Sequence, residues 1–161
     1  MSQDIDAIAL EIAHRAHAVQ RDKAGEPYIG HLRRVAGYVD PHNVKAKAAA
    51  WLHDIKEDQG YADRDLIEAG LPRDVVEVVD LMTRKLDQDP ADYYAAIRAN
   101  DLAREVKLAD LADNTDPRRL AKLPAQRQDK LRRKYAHAYE ALGADPSDGD
   151  QRRGSRGRVQ A

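Results

Sequence analysis

Cysteine is absent from all 161 residues, which excludes a disulfide framework and any thiol nucleophile. Phenylalanine is absent too, tryptophan occurs once, and aromatic residues make up 5% of the chain. The apolar surface must come from Ala, Leu, Ile and Val, a supply that suits helices packed through small and aliphatic side chains better than a β-sandwich. No apolar run approaches the roughly 18 residues of a membrane span. The opening MSQDIDAIALEIAHRA also lacks the basic start and apolar block of a secretory signal, so a cytoplasmic protein is expected. Neither charge sign dominates: the formal net charge is −1, and nothing marks the chain as a whole for nucleic acid or a membrane surface. No stretch alternates with period two for long, and no internal repeat is visible.

What is present is helical periodicity, on a length that fits one domain with a real core. Ile5, Ile8, Ala9, Ile12, Ala16 and Val19 predict a helix over about residues 4–20. RDKAGEPYIG breaks the period with two Gly and a Pro. A short helix follows over about 30–39, and Asn43 is placed to cap the next. Asp63 can cap a short helix that stops at Gly70, and Pro72 suits the first turn of DVVEVVDLMTRKL. Tyr93, Tyr94 and Ile97 mark another helix, and DLAREVKLADLADN one more. The last spans about 125–142 and ends at Gly143 in the C-cap manner. The fold class is all-α. Beyond Gly143, ADPSDGDQRRGSRGRVQA has almost nothing to bury and is expected to be a disordered tail over 144–161. Its Arg152, Arg153, Arg156 and Arg158 could touch nucleic acid, but a solvated tail is the simpler reading.

AAAWLHDIKEDQG, residues 48–60, poses a problem. Read as the last turn of a helix, it sets acids against the negative end of the helix dipole and puts Asp54 and Asp58 at a repulsive i,i+4 spacing. A bound cation would make that arrangement sensible. His53 and Asp54 are a borderline and a hard ligand side by side; His31 and Asp110 are further candidates elsewhere in the chain. Two imidazoles with two carboxylates suit Mn²⁺, Fe²⁺, Zn²⁺ or Co²⁺ better than Ca²⁺ or Mg²⁺. Taken singly, such residues are more often solvated, core or salt-bridge side chains than ligands.

Three ordered blocks, GEPYIGHLRRVA, LHDIKEDQG and KLADLADN, resemble the hydrolase domain of Rel/SpoT-type stringent-response enzymes, a branch of the HD phosphohydrolase superfamily. The resemblance runs from about Ala16 to Leu120. It implies a single-domain HD-type helical bundle over residues 1–143. It also implies one divalent ion, Mn²⁺ first, held by His31, His53, Asp54 and Asp110. The family's water-handling Glu-Asp pair falls on Glu57 and Asp58, and its substrate contacts on Lys23, with Arg21 beside it, and on Asn114. The implied reaction is removal of the 3′-pyrophosphate of (p)ppGpp. The alternatives are hydrolysis of another phosphorylated nucleotide and a non-catalytic nucleotide-binding module. Two positions depart from the family: Asp22 stands where a second basic residue is usual, and Pro117 where a small hydroxyl residue is usual. Tyr28 and Trp51 read as packing residues, and Arg84 and Lys85 as a solvated helix end able to approach a polyphosphate.

Overall fold

The computed structural model describes residues 4–159, which form eleven helical segments. In chain order these are α1 (Ile5–Ala16), α2 (Tyr28–Tyr38), α3 (Val44–Leu52), α4 (Ile55–Gln59), α5 (Asp63–Glu68), α6 (Arg73–Met82), α7 (Pro90–Arg98), α8 (Asp101–Asn114), α9 (Pro117–Leu120), α10 (Ala125–Ala141) and α11 (Ser147–Val159). Among the described residues the one β-type backbone pairing is an isolated bridge between Arg21 and Pro27, at the neck of the α1–α2 loop. The fold is all-α.

α3 lies at the centre, packed against α1, α2, α6 and α8. Ala46, Ala48, Ala49, Ala50, Trp51 and Leu52 are all buried. A run of small side chains lets several helices approach one from all sides, which is why α3 shows no clean polar stripe. Asn43 caps it as expected, accepting from the Ala46 N–H at 3.0 Å. α8 lies across α2 and α3, so the central helix and its two neighbours bring three separate parts of the chain to one point.

LHDIKEDQG departs from its reading as a single helix end. α3 stops at Leu52 and the chain restarts as α4 with Asp54 in the N-cap position. Glu57 and Asp58 therefore sit in the first turn of a new helix, where the dipole favours negative charge. Lys56 pairs with Asp63 and, at 2.9 Å, with Asp80, tying α4 to α5 and α6. Asp54 makes no capping hydrogen bond of its own, which leaves its carboxylate for the centre described below.

The C-terminal segment corrects the expectation of a disordered tail. α10 ends as anticipated, with Gly143 at φ +67° and the Ala144 N–H bonded to the Tyr139 carbonyl at 2.9 Å. The chain then forms α11, which packs on α8 and α2. Its anchors are polar. Arg152 donates to the Tyr38 carbonyl at 2.9 Å and to both oxygens of Glu105 at 2.7 and 3.0 Å. Arg153 donates to the Ala112 carbonyl and, at 3.1 Å, to Thr115 Oγ1. Gly149 permits the close approach to α10, since a Cβ there would lie 2.5 Å from Tyr139 Oη. Hydropathy cannot register this docking, because charge-assisted hydrogen bonds replace apolar burial. Two of the four arginines considered for nucleic acid are engaged in it; the side chains of Arg156 and Arg158, and positions 160–161, lie outside the described residues.

Candidate metal centre

His31 from α2, His53 and Asp54 from the α3–α4 junction, and Asp110 from α8 converge. His31 Nε2 lies 3.1 Å from Asp110 Oδ1 and 3.9 Å from Asp54 Oδ2. His53 Nε2 lies 3.3 Å from Asp110 Oδ1 and 3.1 Å from Asp54 Oδ2. Adjacent ligands on an ion with bonds of about 2.1 Å stand roughly 3 Å apart, so these edges match a shared cation. Histidines 31 and 53 with Asp54 also form a group able to hold a metal ion by the mutual reach of their ligand atoms.

The imidazoles are turned for this task. His53 Nδ1 lies 2.7 Å from the Ala50 carbonyl, which can only accept, so Nδ1 carries the hydrogen. Its Nε2 is buried and lacks a hydrogen-bond partner. An orphaned buried nitrogen beside two carboxylate oxygens fits a site for a cation. His31 Nδ1 lies 2.6 Å from Asp113 Oδ2, which fixes the same tautomer there. Asp113 is 0% exposed and also accepts from Arg34 Nε at 2.6 Å and Arg119 Nη1 at 2.7 Å.

Three residues in this shell escaped the sequence reading. Asp113 and Lys107 stand three positions to either side of Asp110 on α8, one turn away on its face, and that spacing was the available signal. Lys107 Nζ lies 3.1 Å from Asp110 Oδ2. Tyr28, taken as a packing residue, instead donates its hydroxyl to Asp54 Oδ2; its ring also lies 5.4 Å from that of His31. Trp51 does pack, 6% exposed, with its ring 6.0 Å from that of His14.

Charge is concentrated here. Burial alone would favour neutral forms, yet the carboxylates raise both histidines: Asp54 and Asp110 push His53 well above its ordinary 6.5, and Asp110 and Asp113 push His31 up. Burial raises Asp54, but the His53 charge outweighs it and the carboxyl falls to about 2. Against the same burial penalty, Lys107 and His53 hold Asp110 well below the carboxylate range. The two Nε2 positions thus attract either protons or a metal cation.

The centre opens into a cleft of about 760 Å³ lined by Asp54, Asp110, Glu57, Asp58, Lys23 and Asn114, among others. Glu57 and Asp58 are exposed at its rim. Glu57 accepts from the Arg84 N–H, and Asp58 from Gln20 Nε2 at 3.0 Å. Lys23 is exposed on the α1–α2 loop, and Arg21 beside it donates to the Gly25 carbonyl at 2.9 Å. Asn114, the last residue of α8, places its Nδ2 3.2 Å from Asp110 Oδ1. Asp22 has a structural task. One oxygen accepts from the Ala24 and Glu26 N–H groups, and the other pairs with Arg119 at 3.2 Å. Arg119 thereby spans the loop and Asp113. Pro117 starts α9 and lines a separate recess rather than this cleft.

Two imidazoles and two carboxylates on the floor of one cleft, with a Glu-Asp pair on its rim, are the equipment of a metal-dependent hydrolase on a helical scaffold. The chain belongs to the HD domain family, whose model matches residues 9–147. Its fold is similar to that of a solved metazoan ortholog of SpoT, said to hydrolyse ppGpp and to play a role in starvation responses. The TM-score is 0.72, over 100% of this chain and 98% of that one, at 21% sequence identity. Among the described residues no helix is long and apolar enough to cross a membrane.

Proposed function

We propose that this protein hydrolyses a phosphate or pyrophosphate ester of a phosphorylated nucleotide, with the 3′-pyrophosphate of (p)ppGpp as first substrate and Mn²⁺ as the ion, in the cytoplasm. The observation that carries the reading is the convergence of two buried imidazoles, with the Nε2 of His53 left without a partner, on Asp54 and Asp110. The donor set suits Mn²⁺, with Fe²⁺, Zn²⁺ and Co²⁺ as related choices. When bound, such an ion lowers the pKa of water and polarises a phosphoryl oxygen.

The chain's own residues supply the rest. Tyr28 and Lys107 hold Asp54 and Asp110 in place, and Asn114 steadies the latter. Glu57, at the cleft rim, takes a proton from the attacking water, with Asp58 beside it. The water oxygen bonds to phosphorus, the bond from phosphorus to the ribose oxygen breaks, and that oxygen regains a proton from solvent. Lys23 meets substrate phosphate as a point charge.

One observation favours a second reading. Asp22 is committed to the loop and to Arg119, so the loop offers fewer cations than the stringent-response pattern. Another phosphorylated nucleotide would then be preferred. The deciding experiment incubates Mn²⁺-loaded protein with (p)ppGpp, nucleoside 3′- and 5′-phosphates and phosphorylated dinucleotides, and identifies the products. Release of pyrophosphate from (p)ppGpp at the highest kcat/KM supports the first reading. Faster turnover of another nucleotide selects the second. Ligand binding without turnover of any would leave a nucleotide-binding module.

A further inference from the structure

A small recess of about 170 Å³ adjoins the main cleft across Glu57, Asn114, Lys134 and Tyr135, lined also by Arg84, Lys107, Tyr93 and Tyr94. Three cations reach it from three elements: Arg84 from the segment after α6, Lys107 from α8 and Lys134 from α10. Lys107 is matched by Asp110. Arg84 and Lys134 have no carboxylate partner among the described residues. Each lies over a tyrosine ring instead, Arg84 at 5.3 Å from Tyr93 and Lys134 at 6.0 Å from Tyr135. Lys107 also lies 5.5 Å from the Tyr93 ring.

Lys107 is paired and Glu57 is the carboxylate on the recess wall, but Arg84 and Lys134 make no ion pair with it, and like charges left unpaired so close together repel. Here the repulsion registers: burial, then the charges of Lys107, Lys23 and Arg84, hold the Lys134 ammonium below the usual lysine range. A binding site for an anion explains what a structural role does not. The recess is well below the roughly 300–1,000 Å³ of sites that take a whole drug-sized ligand, which suits phosphate groups and not a nucleoside.

We propose that this recess is a polyphosphate arm of the active site, in which Arg84 and Lys134 hold the terminal phosphate of a pyrophosphate whose inner phosphorus lies over the metal centre. The proposal rests on the phosphohydrolase reading and deepens it. It makes the enzyme selective for pyrophosphate esters over monophosphate esters at the same position, because only the former reaches the arm. Glu57, on the wall shared by arm and cleft, faces the scissile phosphorus between them.

The test uses the full chain with Lys134→Ala, Lys134→Gln and Arg84→Ala, each checked for an unchanged thermal transition. The first readout is calorimetric titration of inorganic pyrophosphate into the Mn²⁺-loaded protein. Loss of one charge-assisted contact is expected to weaken binding by about tenfold or more, and the difference from wild type should shrink as salt rises. The second is the ratio of kcat/KM for a nucleoside 3′-pyrophosphate over its 3′-monophosphate, expected to fall by a similar factor in all three variants. Unchanged pyrophosphate affinity in all three, or an unchanged ratio in an enzyme that does hydrolyse both esters, overturns the arm. If no nucleotide is hydrolysed at all, the phosphohydrolase reading fails, and the pyrophosphate titration still decides whether the arm binds phosphates.

Discussion

The candidate metal centre and the C-terminal helix are both fastened to α8, and both use buried or half-buried charge to do it. They differ in what the charges meet. At the centre, His31, His53, Asp54 and Asp110 face one another with one nitrogen left unpartnered. At α11, Arg152 and Arg153 donate most of their guanidinium N–H groups to carbonyls, carboxylates and the Thr115 hydroxyl already placed to accept them. Charges that converge on an unpartnered ligand nitrogen make a site, and charges that are matched across two elements make a joint. Buried polar groups with all partners present hold structure together, whereas those lacking a partner ask for a ligand.

The widest separation between the two regions should come from His53→Ala. The centre loses a ligand whose Nε2 has no other task, so Mn²⁺ binding should drop below detection in titration and elemental analysis, and hydrolysis with it. The α11 joint does not touch His53 and should survive. Retention of stoichiometric metal in this variant would remove the centre from the argument.

Glu57→Gln comes next. It keeps the hydrogen bond from the Arg84 N–H but removes the base, so bound metal should be unchanged while turnover falls by about 10²–10⁴. Near-normal rates would make Glu57 a solvated acid. Asp113→Asn tests support rather than ligation. It removes the charge that fixes the His31 tautomer and that Arg34 and Arg119 share. Metal affinity should weaken by about 10–100-fold, the usual effect of losing such a partner, with the ligands intact. An unchanged metal titration would show that His31 needs no help from Asp113.

These variants also mark the reach of sequence reasoning. The four candidate ligands were legible because each sits in a short block with a recognisable neighbour pattern. Most helices were legible because Ala, Leu, Ile and Val repeat at their period, with Asn43 and Gly143 marking ends. Tyr28 and Arg119 were not, because their roles depend on partners far away in the chain, Asp54 in one case and Asp22 with Asp113 in the other. The break between α3 and α4 was hidden by a continuous apolar-then-charged run that both one helix and two can satisfy. α11 was hidden for the opposite reason. Its composition is that of a solvated chain, and only the acceptors on α8 and α2 give Arg152 and Arg153 a reason to be ordered.

The joint itself is weaker than the centre and should yield smaller numbers. Arg152→Ala leaves Glu105 and the Tyr38 carbonyl short of donors, with an expected loss of about 1–3 kcal/mol. For a chain of this size that is a fall in Tm of roughly 2–4 °C per kcal/mol. Metal affinity should stay close to wild type, since no candidate ligand contacts Arg152. A Tm within error of wild type would return the segment to the status of a tail.

The smallest effect separates the two regions by pH, in metal-free protein. Burial raises the Glu105 carboxyl, but the hydrogen bond and charge of Arg152 prevail, so its folded pKa lies below the ordinary 4.5. A depressed acid contributes stability that is fully present above its unfolded value and is lost as pH falls through the folded one. The destabilisation by Arg152→Ala should therefore be constant above about pH 5 and shrink below it. At the centre the sign is reversed. His31 and His53 are raised above 6.5, so their contribution is fully present below that value and fades as pH rises through their folded pKa values. Urea midpoints for wild type, Arg152→Ala and His53→Ala, taken from pH 3 to 9 with chelator present, should show two penalties moving in opposite directions. An Arg152→Ala penalty that stays flat from pH 5 to 3 would mean that the Glu105 charge does not hold α11, and that the carbonyl contacts to Tyr38 and Ala112 do so alone.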